Sequence, residues 1–148
     1  MKQRTEAVRT AEGVTLPTLV GIDYNTEWIS AYMVSKKGFD KYALFCVVRD
    51  IEQSGYNRMI LKSDQENSMT DIINAVKREG AEDIDVMTEK SPVGEHQSNG
   101  EVERAIQSVQ ELMRVMKLAL QSRYKSRIRG DHPILPWLVR HAAIVVTL

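Results

Sequence analysis

Residues 14–34, "VTLPTLVGIDYNTEWISAYMV", decide how the chain folds. Residues 14–22 are apolar and β-branched, the composition of a strand. Asp23, Tyr24, Asn25 and Thr26 follow, and Asp and Asn favour turns because their side chains bond back to nearby backbone N–H groups. Residues 27–34 are again strand-like. Two strands joined by a short turn predict a β-hairpin.

Downstream, the period changes. Phe39, Ala43, Cys46, Val47 and Ile51 recur at helical spacing, and Gly55 closes that helix. "NRMILKSD" (57–64) reads as a short buried strand. "SMTDIINAVKREG" (68–80) reads as a helix ended by Gly80, and "EDIDVMTE" (82–89) as a further strand. A polar loop then leads into a long helix from about Asn99 to about Tyr124, with Val102, Ile106, Val109, Met113, Met116 and Leu120 as its apolar stripe. "RIRGDHPILP" (127–136) breaks it, and a last helix starts near Pro136. Hairpin, then helix, strand, helix, strand, helix, helix predicts a layered α/β domain with a mixed sheet. Residues 1–13, "MKQRTEAVRTAEG", are polar and read as a loose N-terminal arm ahead of one domain over 14–148.

The 148 residues suffice for one core. Hydrophobic residues make up 43% and charged residues 27%, which argues against disorder. The formal net charge is zero, so no global basic field advertises nucleic acid, although a local basic patch remains open. Cys46 stands alone, which excludes an internal disulfide and a multi-cysteine zinc site. No apolar run reaches the length of a membrane span, and no signal-peptide pattern is present. The sequence stops inside the apolar run "PWLVRHAAIVVTL", which predicts a fragment.

Chemistry is concentrated in two places. Asp64 closes a buried strand, and ligands of α/β sheets collect at the carboxyl ends of strands. Its bland alternative is a turn or helix cap. The second place is "KSPVGEHQSNGEVERAIQ" (90–107). Ser98 and Glu101 have the spacing of a capping box, which gives Glu101 a local task. Glu103 points about 200° round the helix from Glu101 and has no such task. Its bland alternative is an exposed helix charge. A carboxylate at a strand end and one in the first turn of a later helix can meet across a cleft. Hard divalent cations take such oxygen ligands, and two-metal sites stabilise the attacking and leaving oxygens of phosphoryl transfer. His96, Gln97 and Asn99 add donors and acceptors for phosphate, beside the amino end of the helix. His96 has no Cys or His at ligand spacing, so zinc is not indicated. Between 100 and 129 stand seven Arg or Lys against three Glu, either a solvated face or a phosphate-tracking stripe. Trp28 and Trp137 read as core.

"ILKSDQEN" followed by "SPVGEHQSNGEVERAIQ" resembles the catalytic core of retroelement integrases, the Asp-Asp-Glu polynucleotidyl transferases of the ribonuclease H-like fold. In that family an Asp in a "SD" or "TD" context ends the fourth strand, and a Glu follows on a helix after a proline- and serine-rich loop and a glycine. Here residues 65–102 lie between Asp64 and Glu103, and "NGEVE" stands where the family has Gln-Gly-x-x-Glu. The resemblance spans roughly residues 14–124. It implies a ribonuclease H-like mixed sheet flanked by helices, with Asp64 and Glu103 as catalytic ligands of Mg²⁺ or Mn²⁺. It also implies DNA as partner, met by Lys62, His96, Gln97, Asn99, Arg104, Arg114 and Lys117. Water would open a phosphodiester at an element's 3′ end, and the freed 3′-hydroxyl would attack target DNA. Homo-oligomers and a nuclear setting are further family expectations, with no membrane partner.

The sequence departs from the family at one point. The resemblance puts the first catalytic Asp on a strand ahead of the hairpin, but "MKQRTEAVRTAEG" has no Asp and no apolar strand. Asp23 falls in the hairpin turn of this pattern and reads as a turn residue. The expectation is therefore a sheet lacking its first strand and a site lacking its first ligand. Two functions follow: an integrase-type domain of a retrotransposon polyprotein in an incomplete copy, or a non-catalytic nucleic-acid-binding or protein-interaction module on the same scaffold.

Overall fold

The computed structural model describes residues 2–9, 15–35, 39–63, 67–80, 83–90 and 96–148, with side chains from Leu16 onward except at 68, 90 and 96–99. The elements are β1 (Lys2–Arg9), β2 (Thr15–Ile22), β3 (Ile29–Met33), α1 (Lys41–Gln53), β4 (Arg58–Ser63), α2 (Asn67–Glu79), β5 (Asp85–Lys90), α3 (His96–Tyr124) and α4 (Ile134–Thr147). Among the described residues the strands form one mixed sheet in the order β3-β2-β1-β4-β5.

The hairpin lies where expected. β2 and β3 pair antiparallel from Thr18↔Met33 to Ile22↔Ile29. The turn is held by Asp23, whose carboxylate accepts from the Asn25 N–H at 3.0 Å and the Thr26 hydroxyl at 2.8 Å. Glu27 takes a left-handed φ of 58°, an unusual choice for a residue with a Cβ.

The first strand is not missing. Lys2–Arg9 forms β1 in the middle of the sheet, antiparallel to β2 from Lys2↔Ile22 to Arg9↔Thr15, and parallel to β4 at Lys2↔Lys62 and Gln3↔Ser63. The polar arm expected over these residues is therefore a strand. Its composition hid it, because central strands are usually apolar runs. Backbone pairing overrides composition here: β2 has β3 on one edge only, and its other edge needs a partner for its N–H and C=O groups.

Each face of the sheet carries its own core. On one face Leu19, Met59 and Leu61 meet Ala43, Leu44, Val47 and Ile51 of α1 and Met69, Ile72, Ile73 and Val76 of α2. Asp40 starts α1 by accepting from the N–H groups of Tyr42 and Ala43, and Gly55, at φ 73°, ends its connection to β4. On the other face Val20, Ile22, Ile29, Ala31 and Met33 meet Val102, Ala105, Ile106, Val109 and Met113 of α3 and Leu135, Leu138, Val139, Ala142 and Ala143 of α4. The last turn of α4 is tied to the sheet edge. The Ile29 N–H donates to the Thr147 hydroxyl at 3.0 Å, and that hydroxyl donates to the Ala143 carbonyl at 3.0 Å. Trp28 and Trp137 are exposed, against the expectation of core. No described helix is long and apolar enough to cross a membrane.

Candidate active site at the sheet switch point

β1 and β4 are adjacent and parallel, while the chain leaves β1 toward β2 and β3 and leaves β4 toward β5. The switch point of the sheet therefore falls between β1 and β4, and sites of α/β sheets gather at such points. Asp64, the expected catalytic carboxylate, directly follows β4 in sequence and lies outside the described residues. Glu103 lies in the early part of α3, half-buried between Val102 and Ala105, which pack into the core.

The helix start differs from expectation. α3 begins at His96, so Ser98 is a helical residue and not a residue ahead of the helix. The Ser98–Glu101 capping box therefore does not mark its start, because a capping residue stands outside the first helical position. His96, Gln97 and Asn99 occupy the first turn, whose backbone N–H groups have no partner within the helix. Their side chains lie outside the described ones.

The other expected DNA contacts divide. The Lys62 ammonium pairs with Glu89 across β4 and β5 at 3.0 Å. Arg104 turns back on its own helix, its Nε donating to the Gly100 carbonyl at 3.3 Å. Arg114 is exposed and Lys117 is half-buried. They follow Glu103 by 11 and 14 residues, so all three fall within about 60° on the helix wheel.

Gln3 pairs with Ser63, and the next residues are Arg4 on β1 and, in sequence, Asp64. Gln3, Arg4 and Thr5 offer no carboxylate beside that strand end. Among the described residues no group of three or more His, Cys, Asp or Glu is placed to hold a metal ion. Asp23 does not substitute. It is the turn residue expected, and its carboxylate also accepts from the Tyr56 hydroxyl at 2.9 Å.

Burial alone would raise the Asp23 pKa, but hydrogen bonds from Asn25, Thr26 and Tyr56 outweigh it and hold the group below the ordinary carboxylate value. Stability from a lowered carboxylate is present above its unfolded pKa and is lost as pH falls through the folded one. Tyr56→Phe should therefore cost about 1 kcal/mol at pH 7. Urea titrations from pH 7 down to pH 2 should show that difference shrinking once Asp23 protonates; a constant difference would mean Tyr56 acts by packing.

A second polar cluster joins β3 to α1. The Tyr32 hydroxyl donates to Asp50 Oδ1 at 2.6 Å and accepts from Arg49 at 2.9 Å. Asp50 Oδ2 and Arg49 Nε are buried with no hydrogen-bond partner. Burial pushes the Asp50 pKa up, against the pull of Tyr32, Ser30 and Arg49. These residues line a cleft of about 1100 Å³ that runs to Asp23, Tyr56, Arg58, Met59, Ile60 and Lys62. The partners in the cluster lie 17 and 18 residues apart in sequence, beyond the reach of any local pattern.

No family model matches the sequence, and no curated protein matches it. Solved structures do match. A chain of the simian T-cell lymphotropic virus intasome in complex with PP2A regulatory subunit B56 gamma superposes with a TM-score of 0.69 at 12% identity, over 98% of this chain and 46% of that one. The HTLV-2 integrase catalytic core domain, in complex with magnesium in a trimeric form, gives 0.64 at 12% identity, over 96% of this chain and 80% of that one. The BIV integrase catalytic core domain gives 0.56 at 18% identity, over 97% of this chain and 80% of that one. This chain thus spans under half of the simian virus chain and four fifths of the two core domains, and it has the mixed α/β, ribonuclease H-like fold of retroviral integrase catalytic cores.

Proposed function

We propose that the chain is an integrase-type domain of a retrotransposon polyprotein, acting on DNA in the nucleus. The observation that carries this reading is the switch point between parallel β1 and β4, with Asp64 next after β4 and Glu103 on α3. In a complete site of this kind three carboxylates would hold Mg²⁺ or Mn²⁺, which would assist 3′-end processing and strand transfer. Here Asp64 and Glu103 are the two proposed ligands and catalytic residues, and Gln3, Arg4 and Thr5, the residues of β1 beside the end of β4, bring no third carboxylate. That deficit favours, for this chain alone, a role in binding nucleic acid without cutting it. The contacts proposed are the first turn of α3 with His96, Gln97 and Asn99, then Arg114 and Lys117, with Lys62 and Arg104 available once released from Glu89 and Gly100.

Phosphate contacts are read by salt. Each neutralised phosphate adds roughly 0.9 to the steepness of log affinity against log salt. Three or four contacts would give a slope near −3, and Arg114→Ala with Lys117→Ala should reduce its magnitude by about two. Fluorescence anisotropy on duplex DNA at several salt concentrations measures this. An unchanged slope in the double variant would show that α3 presents only a solvated surface.

Self-association is proposed through α1 and α4. Phe45 and Trp137 are exposed there. Trp137 stacks on His141 with centroids 4.6 Å apart, and Arg49 lies over Phe45 at 5.7 Å. Trp, Tyr and Arg dominate the energetics of protein interfaces. A second copy docking through these helices should be lost in Trp137→Glu. Light scattering after gel filtration should then report a monomer where the parent protein gives a dimer or larger species; an unchanged mass would place the interface elsewhere.

A further inference from the structure

β3 is an outermost strand of the described sheet. Side chains alternate between faces along a strand. Ile29, Ala31 and Met33 enter the core shared with α3 and α4. Trp28, whose carbonyl continues the pairing with β2 at Asp23, therefore shares the opposite face with Ser30 and Tyr32. Tyr32 meets Asp50 and Arg49 of α1 there. The large cleft opens around this edge of the sheet. Trp28 and Tyr32 line it from the strand, Gln53 from α1, and Arg140 and Ile144 from α4. Arg140 and Ile144 stand four residues apart and so share a face of the helix.

Two groups in this part of the cleft are left unused by the fold. Trp28 lines the concavity and is still 46% exposed. Arg140 is exposed and has no hydrogen-bond or ion-pair partner among the described residues. Its charge reaches inward all the same: burial raises the Asp50 pKa, and Arg140 is among the groups that pull it back. Arg49 is committed, donating to Tyr32 and lying over its ring at 5.6 Å. Asp50 Oδ2 is shut off from solvent, so the cleft presents a cation here and not a carboxylate. An indole face stacks planar rings, and a guanidinium grips phosphate through two parallel hydrogen bonds. Their separation suits one ligand that carries both. The Ile29 N–H bonds Thr147, so Trp28 lies by the last turn of α4, and Arg140 stands two turns earlier, about 10 Å along the helix.

We propose that this part of the cleft is a nucleotide site, with the base stacked on Trp28 and the phosphate held by Arg140. The inference rests on the cleft and not on Asp64, Glu103 or α3. A free mononucleotide and an unpaired nucleotide of a DNA strand share this chemistry, and the test separates them. Trp137→Phe leaves Trp28 as the only tryptophan. Thymidine 5′-monophosphate and a short oligothymidylate are each titrated into that protein while the Trp28 fluorescence is read. At least one should quench it saturably. Thymidine, which lacks the phosphate, should bind at least about tenfold more weakly. Arg140 is exposed, so adding Arg140→Gln should leave the melting temperature unchanged, while nucleotide binding weakens by the same factor. Arg140→Lys, which keeps the charge without the fork, should fall between. Quenching by the oligonucleotide alone would assign the site to a DNA strand, and quenching by the mononucleotide at equal or higher affinity would assign it to a free nucleotide. No quenching by either would overturn the proposal, as would quenching that Arg140→Gln does not weaken. So would thymidine binding as tightly as its phosphate.

Discussion

Purified protein incubated with labelled donor ends, plasmid and Mg²⁺ should give no detectable joined product. Phosphoryl transfer depends on fixed positions of the reacting groups, and such positioning is worth roughly 7–11 kcal/mol in favourable cases. A site with two carboxylates in place of three holds an ion loosely, and a loss of even ~4 kcal/mol removes about a thousandfold in rate. The sharper form of this prediction is a gain. Arg4 follows Gln3 on β1 as Asp64 follows Ser63 in sequence, and Gln3 and Ser63 are paired. Arg4→Asp should therefore create the missing ligand. If 10 mM Mg²⁺ is about ten times the dissociation constant, linkage stabilises the folded state by ~1.4 kcal/mol. That corresponds to a rise of about 3–6 °C in Tm, absent in the parent and absent again when Glu103→Gln is added. Differential scanning fluorimetry with and without Mg²⁺ reads all three. A parent protein already stabilised by Mg²⁺, or one that joins DNA ends, would show that a third ligand exists elsewhere.

The second large effect is on stability. Leu138 is 1% exposed in α4, within the core that α3 and α4 share with β2 and β3. Leu138→Ala removes that side chain and leaves a cavity, at a cost of about 2–5 kcal/mol. Total stabilities of roughly 5–15 kcal/mol make this a large fraction, and Tm should fall by roughly 10 °C. Leu118, 63% exposed on α3, is the control. Leu118→Ala should stay within ~0.5 kcal/mol. Urea unfolding of the two variants settles whether α4 is integral to the core; equal, small losses would make it a peripheral element.

Much of this fold is legible in the sequence because packing imposes local periods. The hairpin at 15–33, β4, and the buried stripes of α1 and α3 each bury one regular set of side chains, and that regularity is written in the residues. β1 is not legible. "KQRTEAVR" carries no strand pattern, and what makes it a strand is the edge offered by β2, a fact about its neighbours. The start of α3 is hidden for a related reason, since His96, Gln97, Ser98 and Asn99 look like loop and yet belong to a helix anchored by Val102 and Ile106. Trp28 and Trp137 read as core in the sequence, but the turn and the outer side of α4 leave them exposed. Of the candidate site, Asp64 and Glu103 could be named from spacing, as could the absence of an early Asp. The Tyr32–Asp50–Arg49 cluster could not, because it joins β3 to α1 through space.

The placement of β1 also sets the order in which the protein can assemble. Its antiparallel partner β2 begins within a few residues, so β1, β2 and β3 can close as a local meander as soon as they leave the ribosome. Its parallel partner is different: Lys2 and Gln3 meet Lys62 and Ser63, residues synthesised 60 positions later. Non-local parallel pairing must first close that loop, and such steps are slow. Until β4 arrives, the nascent chain carries a three-stranded sheet with an open polar edge, and the charges of "KQRTEAVR" that hide the strand in the sequence are the same charges that discourage that edge from pairing with another chain.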